Sequence, residues 1–200
     1  MKRFWKRNWA IIVAIPCFVV ALVLAAIQSG IIGLQLSGIE EMEHKHREVP
    51  AEWSLTQTHN QRLAALVFYN ENKDDASFSV YTKRDGLYFG YYLRYYGDME
   101  EIGDQVLGLR VLDRKSPPAV ALLSMNSQRV AEVEVTDAQG TTRIEVDPEN
   151  PFALVFMDPQ EITLFDDEGN PVEIETMLER SNEVVGNQAP APEGEENSAG

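Results

Sequence analysis

Apolar and polar positions divide this chain into three stretches of different period. From Trp9 to Ile27 there is no alternation: uncharged, mostly apolar residues follow one another without a break. Wound as a helix, that run rises about 28 Å, close to the roughly 30 Å of hydrocarbon in a bilayer. It predicts a transmembrane helix over residues 9–29. Next, Ile31, Leu34, Ile39 and Met42 recur at near-helical spacing, and the charged run Glu40 to Glu48 ends at Pro50, which stops a helix. This segment, residues 30–52, reads as an amphipathic juxtamembrane stalk, with a partner helix or dimer seam as the functional alternative.

Beyond Arg62 the pattern shortens to alternating or fully apolar runs punctuated by turn residues. Ten such runs are expected as strands: 62–69, 77–83, 87–96, 106–112, 120–125, 129–135, 141–146, 152–157, 161–165 and 171–175. Their spacing of about 8 to 12 residues, with no long amphipathic helix between them, predicts an all-β domain over residues 53–180, folded as an antiparallel sandwich or barrel. Three turns carry glycine where a hairpin needs it: Gly86 after Arg84 and Asp85, Gly140 after Ala138 and Gln139, and Gly169 between Asp166 and Asn170. In the second hairpin Val133 and Val135 should fall in phase with Ile144 and Val146, and Glu132, Glu134, Arg143 and Glu145 on the opposite, solvated face. From Ser181 the chain turns to Pro, Gly, Ala, Asn and Glu, so residues 181–200 are expected to be a disordered acidic tail.

Charge orients the anchor. Lys2, Arg3, Lys6 and Arg7 precede the apolar run and no Asp or Glu appears before Glu40, so residues 1–8 should be a cytoplasmic tail and the β-domain should lie outside. Trp5 and Trp9 flank the entry point, where indole rings favour the headgroup layer. A cleaved signal peptide shares the basic start, but its apolar region ends sooner than this one. A lipoprotein reading through Cys17 fails on position, because Cys17 lies within the apolar run and follows Pro16.

Composition then narrows the chemistry. The net charge is −15, and since the first seven residues are basic the remainder is more acidic still; nucleic acid is excluded as a partner and basic partners are favoured. The single cysteine leaves the exported domain without a disulfide, which suits a bacterial cell envelope. No nucleophile motif and no glycine-rich phosphate loop is present, so no catalytic residue and no cofactor is assigned.

The tyrosines carry the one local concentration of chemistry, since all seven fall between Tyr69 and Tyr96. On a regular strand Tyr88, Tyr92, Arg94 and Tyr96 share a face, which makes them the candidate ligand-binding platform for a sugar or peptide. Ordinary cross-strand aromatic packing is the competing account. His44 and His46 point apart on a helix, and neither the loop bearing Asp98, Glu100, Glu101 and Asp104 nor the turn Asp166–Glu168 has the spacing of a calcium loop, so no metal is expected. The expected function is a single-pass membrane protein, held in the bilayer by residues 9–29, that uses its outer domain for protein interaction, self-association or envelope assembly. A membrane sensor is the alternative, and an envelope hydrolase acting on glycan or peptide has the fewest features behind it.

Overall fold

A computed structural model describes residues 15–22, 33–84, 90–98, 103–113, 116–174 and 176–181. The ends of the predicted anchor, the turn at Asp85 and Gly86, Tyr88, the acidic residues Glu100 and Glu101, and the tail from residue 182 lie outside these. Residues 15–22 form a helix, α1, and every side chain on it is exposed. Among the described residues no helix is long and apolar enough to cross a membrane.

The expected β-rich domain is present, and the described residues build it from twelve strands in three four-stranded sheets. The first sheet joins β1 (Ser54–His59), β2 (Leu63–Tyr69), β3 (Ala76–Arg84) and β4 (Gly90–Asp98) in sequence order. The second runs β12 (Thr176–Ser181), β5 (Leu107–Asp113), β6 (Ser116–Ser124) and β9 (Phe152–Met157). The third runs β11 (Pro171–Val172), β10 (Glu161–Asp166), β7 (Val130–Asp137) and β8 (Gly140–Glu145).

Why there are three layers follows from two strands. In β2, Leu63, Ala65 and Val67 enter one core with Leu109, Ala121 and Leu123 of the second sheet, while Ala64, Leu66 and Phe68 enter another on the opposite face. In β6, Ala119, Ala121 and Leu123 face the first sheet while Val120 and Leu122 pack on Val130, Val133 and Leu164 of the third. A strand apolar on both faces must be covered on both. The second sheet is therefore the central layer of three, a layering that the expected antiparallel sandwich or barrel did not specify. The expectation of purely antiparallel pairing fails at one place: β12 runs parallel to β5, in register from Thr176 with Leu107 to Ser181 with Leu112.

The hairpin β7–β8 has the predicted phase. Val133 pairs with Ile144, Glu132 with Glu145 and Glu134 with Arg143, and Val133 is fully buried. Its turn is set by Asp137, whose carboxylate accepts from the backbone N–H groups of Gln139 and Gly140.

The segment read as an amphipathic juxtamembrane stalk lies against the domain. Helix α2 (Leu36–His46) covers the outer face of the first sheet, with Ile39 and Val49 buried on Ala64, Leu66, Phe68, Tyr81 and Tyr91. That cover is needed, because β2 and β3 present large apolar side chains on this face. A chain beginning at Pro50 is therefore expected to aggregate, while one beginning at Gly33 stays monomeric. Size-exclusion chromatography with light scattering of the two distinguishes them, and equal behaviour would count against α2 as a structural layer.

Candidate functional site

The interface of α2 with the first sheet holds an unusual polar group for a packed core. Glu43 follows Ile39 by four residues, so both point inward, and its side chain is 0% exposed. It accepts a hydrogen bond of 2.5 Å from the Tyr81 hydroxyl and lies 3.4 Å from Arg47 Nε, one helical turn on. Arg47 in turn spreads its guanidinium over the Tyr96 ring, 4.2 Å from the centroid, and reaches Ser77 Oγ at 3.4 Å. Among the described residues Glu43 Oε2 and Arg47 Nη1 have no hydrogen-bond partner. Burial first, then the hydrogen bond to Glu43, raises the Tyr81 hydroxyl far above the ordinary tyrosine value.

The sign of that shift gives a pH dependence. The folded chain keeps the Tyr81 proton where the unfolded chain loses it, so the contribution of Tyr81 is complete below the ordinary value of 10.0 and falls away as pH rises beyond it. Tyr81→Phe should cost about 1 to 3 kcal/mol at neutral pH, because Glu43 loses its donor, and should flatten the loss of stability above about pH 10. Urea titrations at several pH values measure both; an unchanged alkaline limb would show that Tyr81 is not the group responsible.

The proposed aromatic platform is altered by a bulge. Across the β3–β4 ladder Val80 pairs with Tyr95 but Tyr81 pairs with Leu93, so Arg94 is the additional residue. A one-residue insertion reverses the faces beyond it. Tyr96, opposite Ser79, stands on the α2 face with Arg47, whereas Tyr92, opposite Thr82, stands on the other. Tyr92 is half-buried beside Gly33, where an added Cβ would come within 2.7 Å of its ring. Arg94 donates to the Leu93 carbonyl. Tyr88 lies outside the described residues, and the remaining three do not form one flat surface.

Next to this interface the incoming chain closes a groove. Leu34 exchanges backbone hydrogen bonds of 2.9 and 2.8 Å with Tyr91 on the edge of β4. Gly33 and Gly90 make that approach possible: a Cβ on Gly90 would sit 2.6 Å from the Gly33 carbonyl carbon, and Gly90 has φ +102°. The groove, about 670 Å³, runs between Leu34, the β1–β2 turn at Asn60 and the ends of β3 and β4. The Asn60 side-chain oxygen shapes the turn by accepting from the N–H groups of Arg62 and Leu63. Arg62 then leaves it to bind Asp113 at 3.0 Å, tying the first sheet to the second.

The other candidate clusters are engaged in structure. His44 Nδ1 is 2.7 Å from the Val49 carbonyl and its ring meets Phe68 edge-on at 5.5 Å. Asp104 accepts from Ser127, and Asp167 pairs with Arg129 at 2.6 Å. Asp166 accepts from the Asn170 side chain and from the N–H groups of Asn170 and Glu168, which hold its carboxyl below the usual range. Among the described residues no three His, Cys, Asp or Glu side chains are grouped to hold a metal ion.

Comparison with family models, with curated proteins and with solved structures finds no match.

Proposed function

We propose that this chain is a single-pass membrane protein that displays an acidic, β-rich domain outside the cell for protein interaction or envelope assembly. The observation that carries the reading is α1. Ile15, Phe18, Val19, Val20 and Leu22 are 51 to 64% exposed on it, whereas among the described β-strands only Tyr96, Leu112, Met157 and Met177 are large apolar side chains left exposed, at 38 to 50%. Transferring each such side chain out of water is worth about 1.5 to 3 kcal/mol, and a lipid phase supplies that environment on every side of the helix at once. The four basic residues ahead of it orient the amino-terminus inward.

The outward role is argued from charge. The third sheet turns Glu132, Glu134 and Glu145 to solvent around Arg143, whose guanidinium lies 3.3 Å from Glu132 and 2.9 Å from Glu134. Such a face favours basic protein surfaces and opposes anionic polymers. Mass spectrometry of material co-purified with the full chain in mild detergent, compared with a chain starting at Gly33, tests the reading. A stoichiometric partner retained by both chains is expected; a full chain that recovers neither partner nor second copy would overturn the interaction role.

A sensor is the second reading, and one observation favours it. Glu43, Arg47 and Tyr81 fasten α2 to the first sheet, so movement at the membrane segment is passed to the domain as a rigid displacement.

A further inference from the structure

We propose that the groove beside Leu34 binds a phospholipid headgroup through its phosphate, an inference that rests on the membrane reading above. Position is the first argument. Leu34 is pinned to Tyr91, and the predicted span ends at residue 29, so at about 3.5 Å per residue the groove is tethered within about 18 Å of the hydrocarbon boundary. Charge is the second. In a chain with 32 acidic residues, no Asp or Glu is among the described residues that line this groove. The grooves at α2 and on the third sheet contain Glu40 and Glu41 in one case, and Glu132, Glu145 and Asp166 in the other.

Donors and apolar surface are the third. Lys83 lines the groove with an exposed side chain and makes no ion pair among the described residues. The Asn60 amide nitrogen has no acceptor among the described residues, and His59 and Gln61 stand exposed beside it. An ammonium and amides of this kind match phosphate oxygens, while Leu34 and Tyr91 offer an apolar wall to the glycerol and the first methylenes of the chains. A lining without carboxylates among the described residues avoids the repulsion that the rest of the acidic surface would impose.

The test uses the full chain in dodecyl maltoside, with its thermal midpoint followed as short-chain lipids are added. Dihexanoyl-phosphatidylcholine is expected to raise the midpoint by about 3 to 5 °C at about ten times its dissociation constant. Dihexanoylglycerol, which lacks phosphate, is expected to leave it unchanged. Lys83→Glu should abolish the shift without moving the lipid-free midpoint, and Lys83→Gln serves if the reversal prevents folding. An equal shift in the Lys83 variants, or with dihexanoylglycerol, would overturn the proposal. So would an equal shift with glycerol phosphate, which would make the ligand a free phosphate. Sedimentation with phosphatidylcholine vesicles separates the two failures: a chain that does not sediment removes the membrane reading, whereas one that sediments but shows no lipid shift removes the groove alone.

Discussion

Replacing Asn126 by alanine is expected to lower the stability of the β-domain by about 4 kcal/mol, a large part of the 5 to 15 kcal/mol typical of a folded protein. Asn126 is 5% exposed and lies where β6 leaves the second sheet for the third. Its amide nitrogen donates to the carbonyls of Val130 and Asp147 at 3.1 and 3.0 Å, and its oxygen accepts from Val130 N–H at 2.7 Å. One side chain thus stitches together two of the four crossovers between these sheets, β6–β7 and β8–β9. Alanine leaves buried backbone groups unpaired, at about 1 to 3 kcal/mol each, and must also adopt φ +62°, which asparagine tolerates better. Asn126→Gly should recover about 1 kcal/mol, because it repairs the backbone but none of the hydrogen bonds. Urea denaturation gives both values; a loss under about 1 kcal/mol for Asn126→Ala would show that the crossover is not held this way.

Arg47→Ala is expected to cost about 3 to 5 kcal/mol, because it leaves the fully buried Glu43 without its countercharge. Removing the entire group together, as Glu43→Met, Arg47→Met and Tyr81→Phe, should bring stability back to within about 1 to 2 kcal/mol of the starting protein. Apolar replacement of a buried ion pair is often neutral, since the desolvation of both charges disappears with them. Denaturant titration of the single and triple variants measures the difference. A triple variant as unstable as Arg47→Ala would mean that packing over Tyr96, and not charge, is what Arg47 supplies.

Strand positions were legible wherever apolar residues alternate or run continuously. The runs around Val133, Leu164 and Phe152 stand at or within a few residues of their expected bounds. The continuous runs Leu63–Phe68 and Ala119–Leu123 also announced burial on both faces, which is the signal for a strand covered on each side, although the expected sandwich or barrel did not say by what. Two strands left no trace. β1 reads Ser-Leu-Thr-Gln-Thr-His and β12 reads Thr-Met-Leu-Glu-Arg-Ser; both are edge strands whose outward positions are polar, and neither fills a core by itself.

The site was less legible than the fold. Alternation placed Tyr92 and Tyr96 together, and only the pairing of β3 with β4 reveals the additional residue at Arg94 that separates them. Glu43 had a readable signal: it occupies the Ile39 face of α2, where an acid in an apolar stripe requires a buried donor. Lys83 and Asn60 had none, since the groove they share exists only because Leu34 returns to the edge of β4.

The proposed crossing of the membrane by residues 9–29, with the β-domain outside, is directly measurable through Cys17, the single cysteine of the chain. Labelling intact cells with a membrane-impermeant maleimide should leave Cys17 unmodified until the bilayer is dissolved. A cysteine introduced at Ala138, in the exposed β7–β8 turn, should react at once, and one introduced at Lys2 should react only after lysis. Ready labelling of Cys17 in intact membranes, or protection of the Ala138 position until lysis, would contradict the account.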